Sequence, residues 1–313
     1  MNGIDPLSEV LSLLKPYGYL TGGFDAGGPW ALTLDDLAGR IKCYAVMRGS
    51  CWLTLEDAAP VELSAGECFV LASGRVVTIG SAPGVPPKRA SEVLDPDRAG
   101  ETVTYNGGGD VFLVGCRFEV NSPHTEVLLR TLPPLMRVAT SGDRARLRWS
   151  IELMTAELRG GRPGSWLMAQ QLAHMMLVQA LRLYLAEGGG DDVGWFAALA
   201  DPQLSAALGA IHADPAFPWT VHALAVRAGM SRSIFAARFR ERTGETPIVY
   251  VTRWRMMLAG ERLVRGGETL ARIAGSLGYA SEAAFNTAFK RVMGVSPGRY
   301  ARSGSGVFGS VRR

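Results

Sequence analysis

The chain of 313 residues has only four histidines and four cysteines, and neither set is spaced to hold a metal. His124, His174, His212 and His222 form no HxH pair, and Cys43, Cys51, Cys68 and Cys116 form no CxxC. Gly107-Gly108-Gly109 is not followed by the GK[ST] of a phosphate loop, so it reads as a hairpin tip, and no nucleophile elbow is present. The opening MNGIDPLSEV lacks the basic segment and apolar core of an export signal, so a cytoplasmic setting with reduced thiols is expected. The most apolar helix-like run, Leu167 to Ala186, is interrupted by Gln170, Gln171, His174, Gln179 and Arg182, which excludes it as a membrane span.

The length predicts about two domains. Net charge is +4, but the charge is unevenly placed: 16 Lys and Arg stand against 6 Asp and Glu from residue 203 onward, leaving 17 against 23 in the remainder. A basic C-terminal third beside an acidic remainder predicts a polyanionic partner for one domain only.

That third contains the most informative stretch, Ser281 to Arg291 (SEAAFNTAFKR). On a helix Phe285 and Phe289 form one apolar stripe, while Glu282, Ala283, Asn286, Thr287 and Lys290 fall opposite. Upstream, Thr269 to Leu277 reads as a short helix, Gly278-Tyr279-Ala280 as a turn and Ser281 as an N-cap. This is the helix-turn-helix pattern, whose second helix enters the major groove. The pattern occurs twice. Thr220 to Ala228 precedes Gly229-Met230 and Ser231 to Arg242, and Ser231, Phe235, Phe239 and Arg240 match Ser281, Phe285, Phe289 and Lys290 at an offset of fifty. Between them, Thr246 to Val264 reads as a helix with Pro247 at its first position, roughly 25–30 Å long. Such a rod could hold two reading helices about one DNA turn apart.

Residues 203 to 301 resemble the DNA-binding domain of AraC-type bacterial transcriptional regulators, through ETPIVYVTRWRMMLAGERL, IAGSLGYASEAAFNTAFKRVMGVSPGRY and the closing Gly294, Pro297 and Tyr300. One departure is Thr287, where members often carry Arg. The resemblance implies a regulator of transcription, not an enzyme, with double-stranded promoter DNA as partner, RNA polymerase and a second copy of the chain as further partners, and no cofactor. The DNA-contacting set is then Arg232, Ser233, Ala236, Ala237 and Arg240 on the first helix, and Glu282, Ala283, Asn286, Thr287, Lys290 and Arg291 on the second. Arg232, Arg240, Lys290 and Arg291 suit phosphate, with Arg253 and Arg255 as further candidates. Glu282 suits a cytosine amino group, Asn286 an adenine, and Ser233, Ala236 and Ala237 offer little but contact with a thymine methyl.

Residues 17 to 120 read as β, with strands at Ile41–Met47, Cys51–Leu55, Cys68–Leu71, Val76–Ile79, Val103–Tyr105 and Val111–Val120. The segments GRIKCYAVMRGSCWLTLED and PVELSAGECFVLASGR resemble the two hairpins of a cupin barrel, which implies an effector-sensing domain ahead of the DNA-binding one. Lys42 stands where a metal-binding cupin carries Glu, and no His lies in the hairpins, so no metal is expected there. Alternation predicts that Cys43 and Cys51 point into the barrel. A thiol-based redox sensor and a cupin enzyme with accessory helices are the alternative readings. Asp143–Leu158 and Ser165–Ala186 read as amphipathic helices that pack on the barrel or pair two chains.

The expected organisation is thus α+β and multidomain: a cupin-like β-barrel over 1–140, a helical hairpin over 141–186, a linker over 187–202, an all-α double helix-turn-helix domain over 203–303 and a flexible tail over 304–313. The effector and its binding residues are not legible at this level.

Overall fold

The computed structural model describes residues 5–14, 16–56, 58–72, 74–94, 101–120, 129, 132–138, 149–154, 156–157, 162–188 and 193–307. The chain divides into a β-rich unit (Pro16–Asn121 and Leu129–Gly190) and a helical unit (Met1–Lys15, Ser122–Leu128 and Asp191–Arg313).

The β-rich unit has two sheets. One contains β1 (Pro16–Ala26), β3 (Arg40–Arg48), β6 (Cys68–Leu71), β9 (Thr102–Tyr105), β10 (Val111–Val120) and β11 (Leu135–Val138), in the order β11-β6-β3-β10-β1-β9. The other contains β2 (Ala31–Leu34), β4 (Ser50–Leu55), β5 (Val61–Ser64), β7 (Val77–Gly80) and β8 (Lys88–Arg89), in the order β5-β4-β7-β2-β8. The cupin-like β character is as expected, but the strands form two sheets rather than a closed barrel. Between β3 and β4 the chain turns at Gly49, and the two strands belong to different sheets. Gly49 has φ +74°, and a Cβ there would lie 2.1 Å from the Asp110 carbonyl oxygen, so only glycine fits this corner. Val77 and Thr102, rather than Val76 and Val103, begin their strands, β5 is the first strand of the second expected hairpin, and β1, β2, β8 and β11 are strands that the sequence pattern did not single out.

The core between the sheets contains Phe24, Trp30, Leu32, Leu34, Tyr44, Val46, Cys51, Leu53, Phe69, Ile79 and Leu113. Cys51 points inward as expected; Cys43 does not. Its Sγ lies 3.6 Å from Cys68 Sγ on the opposite face of β3, and Cys116 Sγ on β10 lies 3.6 Å from Met154 Sδ. Alternation fixes which residues share a face, not which face is the inner one, and β3 is buried on both. The hydrogen-bonded neighbour Cys68 and burial push the Cys43 thiol well up, burial pushes Cys51 up to about 12, and it raises Cys116 too. Such thiols stay protonated at neutral pH, which suits core packing better than oxidation. Lys42 is buried, and its ammonium lies 2.5 Å from Asp36 Oδ1, so its charge is met by a carboxylate of the same unit.

Short helix α2 (Ala90–Val93) follows β8, and α3 (Ser165–Ala186) covers the outer face of the six-stranded sheet with Leu172, Ala173, Met176, Leu177 and Ala180 buried. His174 meets the Phe118 ring edge-on at 5.8 Å. Of the other expected helix, 149–154 and 156–157 are helical with Ile151 and Met154 buried, while 143–148, 155 and 158 lie outside the described residues.

The helical unit contains α1 (Pro6–Leu14), α4 (Trp195–Ala200), α5 (Pro202–Ala213), α6 (Val221–Arg227), α7 (Arg232–Thr243), α8 (Pro247–Arg265), α9 (Leu270–Ser276), α10 (Glu282–Met293) and α11 (Pro297–Val307). Three features differ from the sequence reading. Residues 195–200 of the expected linker are helical, with Trp195, Phe196, Ala197 and Ala198 buried; an aromatic pair next to two alanines has apolar surface that a solvated linker cannot bury. The expected tail is helical as far as Val307, while 308–313, including the closing Arg pair, lie outside the described residues. Finally, α1 belongs to this unit rather than to the β-rich one. Glu9 of α1 lies 2.8 Å from Nδ1 of His212, whose Nε2 lies 2.8 Å from the Tyr250 hydroxyl and whose ring stacks on Trp254 at 3.9 Å.

Candidate nucleic-acid interface

The interface grows from a repeated skeleton. In each half a short helix, α6 or α9, leads through a tight turn into α7 or α10. Ser231 accepts a hydrogen bond from the Ile234 amide (3.4 Å) and Ser281 one from the Ala284 amide (3.2 Å), so both longer helices start where the sequence places an N-cap. Both end at a left-handed glycine, Gly244 (φ +78°) and Gly294 (φ +74°). Pro247 and Pro297 then open the next helix of each half.

The buried stripe repeats as well. Phe235 and Phe239 lie 5.5 Å apart and Phe285 and Phe289 5.7 Å, all fully buried. Tyr250 meets Phe239 edge-on at 5.8 Å, and Tyr300 meets Phe289 likewise at 5.4 Å. Helix α8, with 19 residues and a length of about 28 Å at 1.5 Å per residue, contacts α7 on one side of the repeat and α10 on the other.

With the phenylalanines inward, the opposite faces point to solvent. On α7, Arg232, Ser233, Ala237 and Arg240 are exposed and Ala236 is half-buried. On α10, Glu282, Ala283, Thr287, Lys290 and Arg291 are exposed and Asn286 is half-buried. Each helix thus gathers its own predicted residues on one accessible face. The Thr287 hydroxyl donates to the Ala283 carbonyl (3.0 Å), leaving its oxygen as an acceptor.

The structure removes two phosphate candidates. Arg253 pairs with Glu245 at 2.6 Å and stacks over Tyr250, and Arg255 donates to the carbonyls of Pro215 (2.6 Å) and Phe217 (2.7 Å). Both guanidinium groups hold the domain together instead of facing solvent unpaired. Further exposed cations lie outside α7 and α10, among them Arg227 at the end of α6 and Arg299 and Arg302 on α11. A reading centred on those two helices passes over them; the basic excess of the whole segment is the signal that includes them.

No described helix is long and apolar enough to cross a membrane. Residues 5–186 match the Cupin family, and residues 224–303 match the Helix-turn-helix domain family. The chain is 41% identical over 303 residues to an AraC-like transcription regulator of Streptomyces lividans, covering 96% of this chain and 98% of that one. It is 40% identical to a second such regulator, of Streptomyces antibioticus, over 96% and 99% of the two chains. It is 30% identical to the HTH-type transcriptional regulator AlkR of Acinetobacter baylyi, over 87% and 91%. An N-terminal cupin domain, a C-terminal helix-turn-helix domain and full-length similarity of this extent make the chain a member of the AraC-like family of DNA-binding transcription regulators.

Proposed function

We propose that α7 and α10 enter two successive major-groove segments of one promoter site, with α8 as the spacer, and that they divide their labour. The single observation that carries this reading is one skeleton used twice with two different outer faces. Arg232 and Arg240 on α7 and Lys290 and Arg291 on α10 are exposed cations for phosphate. On α10, Glu282 accepts from a cytosine amino group and Asn286 pairs with an adenine edge, while Ala283 and Thr287 let the helix approach closely. On α7, Ser233, Ala236 and Ala237 read shape and thymine methyl groups, so this helix anchors more than it specifies. Segment 203–303 is the DNA-binding region in this reading, and it assigns the chain no catalysis.

The β-rich unit then senses a small-molecule effector and biases promoter binding, with RNA polymerase as the protein that acts on the result. A second copy pairs through the helical hairpin, where Trp149, Trp166, Leu167 and Met168 are exposed. Apolar side chains gathered in this way suit a protein interface.

A binding-site selection on Asn286→Ala and Arg240→Ala tests the division of labour. The Asn286 variant is expected to relax preference at one or two base pairs, a loss of roughly 1–3 kcal/mol of discrimination. The Arg240 variant is expected to weaken binding to all sequences alike and flatten the salt slope by about one unit. The reverse pattern would exchange the two roles.

A further inference from the structure

Between the two sheets of the β-rich unit lies a cavity that opens to solvent; its empty space, with the adjoining solvent counted in, is about 430 Å³. It is lined by Phe24, Trp30, Leu32, Leu34, Ile79 and Leu113, and by Tyr44. Protein interiors are normally close-packed, so an apolar opening into a core is a feature to be explained. Its origin is local. By alternation with Leu113, Gly115 occupies an inward position of β10, and it is paired in register with Gly22 of β1. Gly115 leaves its place in the core without a side chain, and Gly22, at φ +100°, is held to glycine by the Glu101 carbonyl oxygen, 2.1 Å from where its Cβ would lie.

The chemistry of the lining is one-sided. Tyr44 supplies the one side-chain hydroxyl, is 8% exposed, and stacks on Phe69 at 5.1 Å. Its hydroxyl makes no hydrogen bond with any described residue and is not sealed from solvent, so it is available to a guest as donor or acceptor. No charged side chain lines the space. Two cations stand beside Tyr44 but outside the lining: Lys42, paired with Asp36, and Arg117, in register with Lys42 and 3.7 Å from Glu119. An ionic guest would be left without a counter-charge, and a polyhydroxyl guest would bury several unmet groups. A hydrocarbon guest loses nothing there, since apolar cavities stay dry and take apolar molecules.

We propose that this cavity binds a small uncharged molecule with a hydrocarbon body and one hydrogen-bonding atom, the body packed between the sheets and the atom met by the Tyr44 hydroxyl. The 430 Å³ counts open solvent and so bounds the guest from above, at no more than about one ring or a short chain. Binding itself stands on the cavity alone; its consequence for DNA rests on the sensing role proposed above.

The test is calorimetric titration of the full chain with four probes: acetophenone, p-xylene, benzoate and xylitol. Acetophenone and p-xylene are expected to bind saturably at one site per chain, benzoate at least about tenfold more weakly and xylitol not at all. Tyr44→Phe is expected to weaken acetophenone about 2- to 10-fold, the worth of one neutral hydrogen bond, and to leave p-xylene within about twofold. Gly115→Val, which refills the space, is expected to abolish both; Ile79→Phe does the same from the facing sheet should the glycine variant fail to fold. The proposal is overturned if neither apolar probe binds, if benzoate binds as tightly as acetophenone, or if Tyr44→Phe weakens both apolar probes equally. Saturable binding that leaves promoter affinity unchanged supports the site and removes the sensing role alone.

Discussion

Residues 231–250 and 281–300 carry the same secondary structure, and their burial differs at a single position. In the first half Arg238 is partly exposed and reaches Asp201, at 2.6 Å, and Gln203. In the second half Ala288 occupies that place and is buried among the core of α8, α9, α10 and α11. The other buried positions are shared, two phenylalanines, a proline and a tyrosine, as are the capping serine and the left-handed glycine, while the half-buried Val292, Met293 and Val295 replace Arg242, Thr243 and Glu245. The outward residues, by contrast, diverge, from Ser233, Ala236 and Ala237 to Ala283, Asn286 and Thr287. Packing constrains one face of each helix; the other is constrained by whatever it meets outside the chain. A repeat that keeps its inner face and changes its outer one is therefore evidence of two similar scaffolds with two different tasks.

The largest effect is expected on the shared face. Phe235→Ala and Phe285→Ala each remove a fully buried ring, and each should cost roughly 3–5 kcal/mol in urea unfolding of the chain. If one of them cost under about 1 kcal/mol, the two halves would not be structurally equivalent.

The one position whose burial differs offers the next test. Ala288→Arg introduces into the second half the residue that the first half carries, but there it meets packed apolar neighbours instead of Asp201. Overpacking alone should cost roughly 1–3 kcal/mol, and an unpaired charge adds to it. A neutral outcome would show that the second half can reopen to admit the side chain.

On the face that diverges, the triple change Ser233→Ala, Ala236→Asn and Ala237→Thr transfers the outer residues of α10 to α7. Stability should stay within about 0.5 kcal/mol, because these residues hold no packing role. In a site selection, the half-site read by α7 should gain the base preference of the other, by roughly 1–3 kcal/mol at the base opposite position 236. An unchanged preference would mean that α7 does not approach base edges.

The smallest effect concerns His212, which joins Glu9 to Tyr250 in the first half and has no equivalent in the second. Burial lowers its proton affinity below the ordinary value near 6.5, against the raising influence of Glu9. The unfolded chain therefore takes up the proton first. Stability contributed by neutral His212 is present above about pH 6.5 and is lost as pH falls toward the folded value. Urea midpoints between about pH 5 and 7.5 should decline on the acid side, and His212→Gln should remove that part of the slope. A slope that survives the substitution would assign it to other groups.

Much of this molecule is determined by short-range chemistry and so is legible in the sequence. A serine followed by a helical period, a glycine at its end and a proline after it favour a helix through local chemistry alone, which is why α7 and α10 stand where the motif places them. The strands at Cys68–Leu71 and Val111–Val120 follow from β-branched and aromatic runs bounded by turn residues. The tertiary structure decided what depends on partners distant in sequence. It set two sheets instead of a closed barrel, because ladder pairing joins strands as far apart as β1 and β10. It turned Cys43 outward and left Tyr44 inward, because a period of two does not say which face is the core. It drew α1 into the helical unit through His212, more than two hundred residues away. Finally, it engaged Arg253 and Arg255 inside the domain while leaving Arg240 and Lys290 facing solvent. All four side chains carry the same charge in the sequence, and only the presence or absence of a carboxylate or carbonyl within reach separates them.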